Sequence, residues 1–115
     1  MVIGIDIDDT ITRHPRFFAF LSQALVAAGH RVVIITFRED PVATSAALEA
    51  WGVRWTELVT SDLGSQLEHG VGEWKGAVCR EHGVEVLFED DPEVLRHVDP
   101  AITRCMVLGD AAEPW

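Results

Sequence analysis

Three carboxylates and a hydroxyl follow directly on a short apolar run. Val2-Ile3-Gly4-Ile5 leads into Asp6-Ile7-Asp8-Asp9-Thr10. Val and Ile fill the run without polar alternation, so it reads as a strand buried on both faces. A carboxylate carried into such a setting is costly unless something compensates it. If the strand continues through Asp6 and Asp8, both side chains project to one side. Two like charges that close share a proton or share a cation. Asp9-Thr10 has a plainer reading, as the cap of a following helix. Three further stretches carry matching chemistry: Thr36 at the end of Val33-Ile34-Ile35, Lys75 at a predicted helix start, and Asp90-Asp91, with Glu89 before them.

Together these types make a recognisable kit. A carboxylate can attack phosphorus and form an acyl phosphate, dividing one hard step into two. A second carboxyl can protonate the leaving oxygen and then activate water. Magnesium takes oxygen ligands and suits carboxylates from two strands. A lysine and a hydroxyl can hold phosphoryl oxygens as charge builds on them.

The elements that must position this kit alternate. Strands are predicted at 2–5, 31–36, 53–59, 84–88 and 103–108. The third is the least apolar and so an edge strand. Helices are predicted from Pro15 to Ala28, Val42 to Trp51, Glu73 to His82 and Pro92 to His97, with Gly29, Gly52 and Gly83 as stops. A polar loop with three glycines fills 60–72. Strands and helices alternating in short units imply an α/β fold, a mostly parallel five-stranded sheet with helices on both faces. Ligands of such sheets sit beyond the carboxyl ends of the strands, where the winding reverses. Asp6/Asp8, Thr36 and Asp90/Asp91 fall at such ends, and Lys75 opens the helix leading to the fourth strand.

In that order, the four stretches resemble the haloacid dehalogenase (HAD) superfamily of phosphatases. Asp6-Ile7-Asp8-Asp9-Thr10 is similar to its first motif, Asp-x-Asp-x-Thr after a hydrophobic strand. Thr36 matches the second, Lys75 the third and Asp90-Asp91 the fourth. The resemblance covers nearly the whole chain and implies a three-layer Rossmann-like HAD fold. It implies a magnesium-dependent phosphomonoester hydrolase, with Asp6 as nucleophile and metal ligand. Asp8 would be general acid/base, its backbone carbonyl also on the metal. Thr36 and Lys75 would bind the phosphoryl group, and Asp90, with Asp91 close behind, would complete the Mg2+ site. Only Arg13-His14-Pro15 separates the first motif from its helix, so a capless member is expected. An open site then takes its selectivity from rim loops, from a large substrate or from a neighbouring subunit of a homo-oligomer. The expected partner is a phosphorylated small molecule or the phosphorylated end of a larger one.

The 115 residues read as one domain, and 48% hydrophobic content fits a compact core. A net charge of -10 argues against general nucleic-acid binding and against anionic membrane surfaces. No apolar run reaches the ~20 residues of a membrane span. With Asp6 so early, no signal peptide is expected, and the cytoplasm is the expected compartment. Cys79 and Cys105 show no metal spacing and read as buried thiols.

Arg38, two past Thr36, is a candidate for gripping a substrate anion. Its plainer reading is a turn arginine paired with Glu39 or Asp40. Arg13, His14 and His69 are weaker loop candidates. His30, His82 and His97 read as helix-end residues. Trp51, Trp55 and Trp74 read as core or loop anchors, and Trp115 as a terminal anchor or a contact for a partner. A phospho-accepting receiver domain uses the same parts in another order. It needs a lysine after the fifth strand, where this chain has Leu108-Gly109-Asp110. A fold that only binds a phosphorylated ligand is the remaining alternative.

Overall fold

The computed structural model describes residues 1–62, 64, 68 and 70–109. Five strands, β1 (Val2–Ile5), β2 (Arg31–Ile35), β3 (Glu57–Val59), β4 (Val86–Glu89) and β5 (Thr103–Met106), form one sheet in the order β3-β2-β1-β4-β5. All four pairings are parallel, so the sheet is wholly rather than mostly parallel. Among the described residues the helices that connect them include α1 (Pro15–Ala27), α2 (Pro41–Ala50), α3 (Val71–His82) and α4 (Pro92–Leu95). Calls on His69, Asp110 and Trp115 lie outside the described residues.

The apolar runs bury both faces of the sheet, and alternation along each strand divides them. Ile3, Ile5, Val32 and Ile34 face a cluster with Phe18 of α1 and Leu48 of α2. Val33, Ile35 and Leu87 face Trp74 and Val78 of α3 and Val94 of α4. This is the three-layer, Rossmann-like arrangement that parallel strands require, because their crossovers place helices on the faces. Phe18 meets Phe88 of β4 edge-on at 5.6 Å, which ties α1 to the middle of the sheet.

Local chemistry sets the helix ends. Pro15, Pro41 and Pro92 each open a helix, where their missing N–H is no loss. Asp40 caps α2 by accepting from the amides of Val42 and Ala43. Gly83, at φ 65°, closes α3 in the left-handed region that glycine enters without strain.

The connections explain the site's place. The chain winds from β1 outward to β2 and β3, then returns across β1 to begin β4. The winding therefore reverses between β1 and β4, at whose carboxyl ends lie Asp6 and Glu89-Asp90. The sequence-based boundaries differ mainly at polar ends. β3 spans three residues, β4 begins at Val86 and runs one residue further than Phe88, and β5 stops at Met106. Among the described residues no second subdomain is inserted after β1. None of their helices is long and apolar enough to cross a membrane.

Candidate active site

β1 ends at Ile5, but the ladder reaches one residue further, where the Asp6 amide donates to Phe88 O at 3.0 Å. The chain then turns through Ile7–Ile11, with Asp9 at φ 62°. This turn separates the two carboxylates that a continuing strand would have set side by side. Asp6 is 5% exposed, whereas the Asp8 side chain is 58% exposed. Thr10 is drawn inward by the same turn, and its hydroxyl donates to Asp6 Oδ2 at 2.9 Å. It also lies 3.5 Å from Asp90 Oδ1. Neither Asp9 nor Thr10 caps α1; His14 occupies that position, without a side-chain cap bond.

Lys75 comes from the second turn of α3 and is 1% exposed. Its ammonium donates to Asp6 Oδ1 at 2.6 Å and to Glu89 Oε1 at 2.8 Å, and it lies 4.6 Å over the Phe37 ring. Phe37 in turn packs on Trp74, 5.5 Å away. Burial works to strip the ammonium of its proton, but the Asp6 and Glu89 carboxylates outweigh it and hold the lysine pKa above its ordinary value. Burial pushes the Glu89 carboxyl up to about 8, with the Asp6 charge adding to that rise and Lys75 opposing it. Asp90 is raised as well, by burial first.

The oxygens gathered around Asp6 come from Glu89 and Asp90. One ligand atom from each of these three residues lies within 4.8 Å of the others. Asp91 borders the same cleft, but it is the N-cap of α4, its Oδ1 accepting from the Glu93 amide at 2.9 Å. Of the expected pair, Asp90 joins this cluster and Asp91 does not, while Glu89, the weaker candidate beside them, is carried to the rim by β4. Three hard oxygen donors beside a single ammonium leave an excess of negative charge, and a small divalent cation such as Mg2+ fits that donor set. The Asp8 side chain is not among the three.

Asp8 instead faces Arg38. The guanidinium donates through Nε to Asp8 Oδ2 at 3.1 Å and through Nη2 to Oδ1 at 2.8 Å. These bonds hold the Asp8 carboxyl below its usual range and Arg38 above its own. Arg38 thus pairs with neither Glu39 nor Asp40. Thr36 is fully buried, and its Oγ1 accepts from the Arg38 amide at 3.1 Å. It anchors the rim loop and is not among the residues lining the cleft.

The cleft has a volume of about 180 Å3 and is walled by Asp6, Asp8, Lys75, Glu89, Asp90 and Phe37, among others. A larger hollow of about 500 Å3 lies between the carboxyl ends of α1 and α2, lined in part by Gln23, Glu49 and Arg54. It carries no comparable cluster of charged groups, so the smaller cleft is the candidate site. Arg13 pairs with Asp9 at 3.5 Å, and His30 meets the amino terminus at 2.8 Å. Glu57 binds both His82 and Arg31. Cys79 and Cys105 are free.

Sequence reasoning gave Thr10, four residues from Asp6, only a capping or motif part, kept Glu89 as a weaker candidate beside the chosen pair, and missed Phe37. Phe37 carried no signal of its own. Fold and cleft together define a Rossmann-like α/β protein with a buried lysine–carboxylate centre at the switch point of its sheet. Compared with protein-family models, with curated proteins and with solved structures, the chain matches none.

Proposed function

We propose that the protein is a magnesium-dependent phosphomonoester hydrolase of the HAD type, working in the cytoplasm through an aspartyl-phosphate on Asp6. The observation that carries this reading is the buried Lys75 ammonium between Asp6 and Glu89, with Asp90 and the Thr10 hydroxyl beside it. Such a centre concentrates a nucleophilic carboxylate, a fixed cation and a cation-binding donor set in one cleft.

In this reading an Asp6 oxygen attacks phosphorus. The bond from phosphorus to the ester oxygen breaks, its electron pair stays on that oxygen, and the Asp8 carboxyl gives it a proton. The alcohol leaves. The Asp8 carboxylate then takes a proton from water, whose oxygen bonds to phosphorus. The bond from phosphorus to Asp6 breaks, returning its pair to the carboxylate, and orthophosphate is released. Thr10 orients Asp6 through Oδ2. Lys75 has three N–H donors, two directed at Asp6 and Glu89, and offers the third to a phosphoryl oxygen. Thr36 holds the loop from which Arg38 reaches the substrate. Mg2+, held by Asp6, Glu89 and Asp90, would supply positive charge opposite the phosphoryl oxygens.

Hydrolysis of an aryl phosphate with and without magnesium tests the reading. Turnover is expected only with the metal, and Asp6→Asn is expected to abolish it. Undiminished turnover in EDTA, or by Asp6→Asn, would overturn the mechanism. The grip of Arg38 on Asp8 favours a second reading, a protein that binds a phosphorylated ligand without cleaving it. Tight binding of a phosphate ester by folded, metal-loaded protein that never hydrolyses it would support that alternative.

A further inference from the structure

Between Thr10 and Arg38 the chain contains no Asp or Glu, although the whole protein carries 19 of them and a net charge of -10. Helix α1 lies inside this acid-free stretch. Its inner face is accounted for: Phe18 and Ser22 are buried, and Leu21, Leu25 and Val26 pack against the sheet cluster. Its outer face is apolar too. Phe17 is 51% and Phe20 69% exposed, and Ala24 and Ala27 continue the same exposed stripe at helical spacing. Exposed rings in a row on an otherwise highly charged surface mark a contact face.

We propose that this face receives a second copy of the same chain, with the two α1 helices packed antiparallel across a two-fold axis. The stripe is self-complementary in that arrangement. Phe17 falls opposite the partner's Ala27, and Phe20 opposite the partner's Ala24, so each large ring meets a small residue. A two-fold contact demands such reciprocity, because each patch must fit itself. The charges agree. Arg16 stands in the first turn of α1, and that turn holds no acid. A cation there opposes its own helix dipole, but in the antiparallel pair it lies beside the carbonyl-rich end of the partner's helix. Elsewhere two copies of so acidic a chain repel one another, and this stretch offers no carboxylates to do so. None of the residues lining the cleft belongs to α1. A helix of 13 residues is ~20 Å long and covers less than the ~800 Å2 per partner of a standard interface. The dimer is therefore weak and concentration-dependent.

Sedimentation equilibrium of the full chain from ~1 to ~300 μM tests this, a range that brackets a micromolar association. The wild type is expected to pass from monomer to dimer, while Phe20→Glu and Ala24→Glu, both at solvent-facing positions, stay monomeric with unchanged circular dichroism. In a Cys105→Ser background, Phe17→Cys/Ala27→Cys is expected to give an oxidised, covalently linked dimer. Those two positions are ten residues apart on one helix and cannot join within a chain. Phe17→Cys alone is expected to give none. A wild type that remains monomeric overturns the proposal, including one found instead on lipid vesicles. So does a dimer that survives both glutamate substitutions. Crosslinking by the single variant overturns the antiparallel register.

Discussion

Arg38 holds Asp8 through a two-pronged ion pair, at 3.1 and 2.8 Å, while its guanidinium lies 5.7 Å over the Trp51 ring. The pair joins the rim loop after β2 to the turn after β1, and it opposes the chemistry proposed for Asp8. A general acid must carry its proton at working pH, and Arg38 lowers the Asp8 pKa. Substrate binding must therefore loosen this grip. Arg38→Gln is expected to raise the Asp8 pKa toward its ordinary value. The alkaline limb of the kcat/KM profile, which reports the free enzyme, is where Asp8 loses its proton and should then move to higher pH. A limb that stays in place would remove Asp8 from the acid role. Stability should fall by less than ~1 kcal/mol, because the pair is largely solvent-screened. Asp8 is depressed in the folded state, so this small contribution is present above its unfolded pKa and lost as pH falls through the folded one.

Lys75 makes the opposite case. Its ion pairs are buried, and removing one partner leaves uncompensated charge inside the protein. Lys75→Met is expected to cost ~3–5 kcal/mol at pH 7 in urea denaturation. Lys75 opposes the rise of the Glu89 pKa, so without the ammonium that pKa climbs further and the variant should recover stability as pH falls toward 5. The wild-type lysine has a raised pKa. Its contribution is complete below the unfolded lysine value and is lost only as pH rises through the folded one. Lys75→Met/Glu89→Gln should be more stable than Lys75→Met alone. If Lys75→Met is as stable as wild type, the buried charge cluster is wrong.

Metal binding should be readable without turnover. Burial raises the Glu89 pKa to about 8 and raises that of Asp90 as well, so a divalent cation bound there competes with protons. Titration calorimetry with Mg2+ in buffers of different ionisation enthalpy is expected to show proton release at pH 7. At a hundredfold excess over Kd, the bound ion adds ~2.7 kcal/mol of stability. Asp90→Asn should abolish both effects. Asp91→Asn should retain them, because Asp91 serves α4 as its cap and Asn caps comparably. Loss of Mg2+ binding in Asp91→Asn as well as in Asp90→Asn would restore the pair inferred from the sequence.

The comparison of Glu89 with Asp91 also marks what the sequence makes legible. Strands buried on both faces write continuous apolar runs, so Val2–Ile5, Arg31–Ile35 and Val86–Phe88 announce themselves, as does the alternation that implies a parallel sheet. The polar ends of strands write nothing similar. β4 extends through Glu89 because Lys75, 14 residues earlier, offers a buried cation. Asp91 had a legible local role, since Asp followed by Pro at a helix start is capping chemistry. The link from Arg38 to Asp8 spans 30 residues and depends on the turn that rotates Asp8 outward. Asp6, Asp8, Thr36, Lys75 and Asp90 could be placed on one rim from element order, but their hydrogen-bond partners could not.

Gly76, immediately after Lys75, supplies the last prediction. A Cβ on this residue would stand 2.3 Å from the backbone oxygen of His97. That oxygen belongs to the turn after α4, whose neighbour Val98 is buried in the core, so it cannot simply move aside. On helix propensity alone, Gly76→Ala would gain ~1 kcal/mol. The clash works against this, since overpacking of a tight contact typically costs ~1–3 kcal/mol. Contact with backbone rather than a flexible side chain puts the cost at the upper end. A net loss of ~1–2 kcal/mol is therefore expected, measured by chemical denaturation. The functional effect should exceed the loss of folded protein. Displacing α3 from His97 also shifts Lys75, whose 2.6 Å contact with Asp6 depends on where that helix sits. kcat per folded molecule should fall while the fraction folded stays near unity. A Gly76→Ala protein more stable than wild type, with undiminished turnover, would show that the close approach of α3 to His97 does not set the position of Lys75.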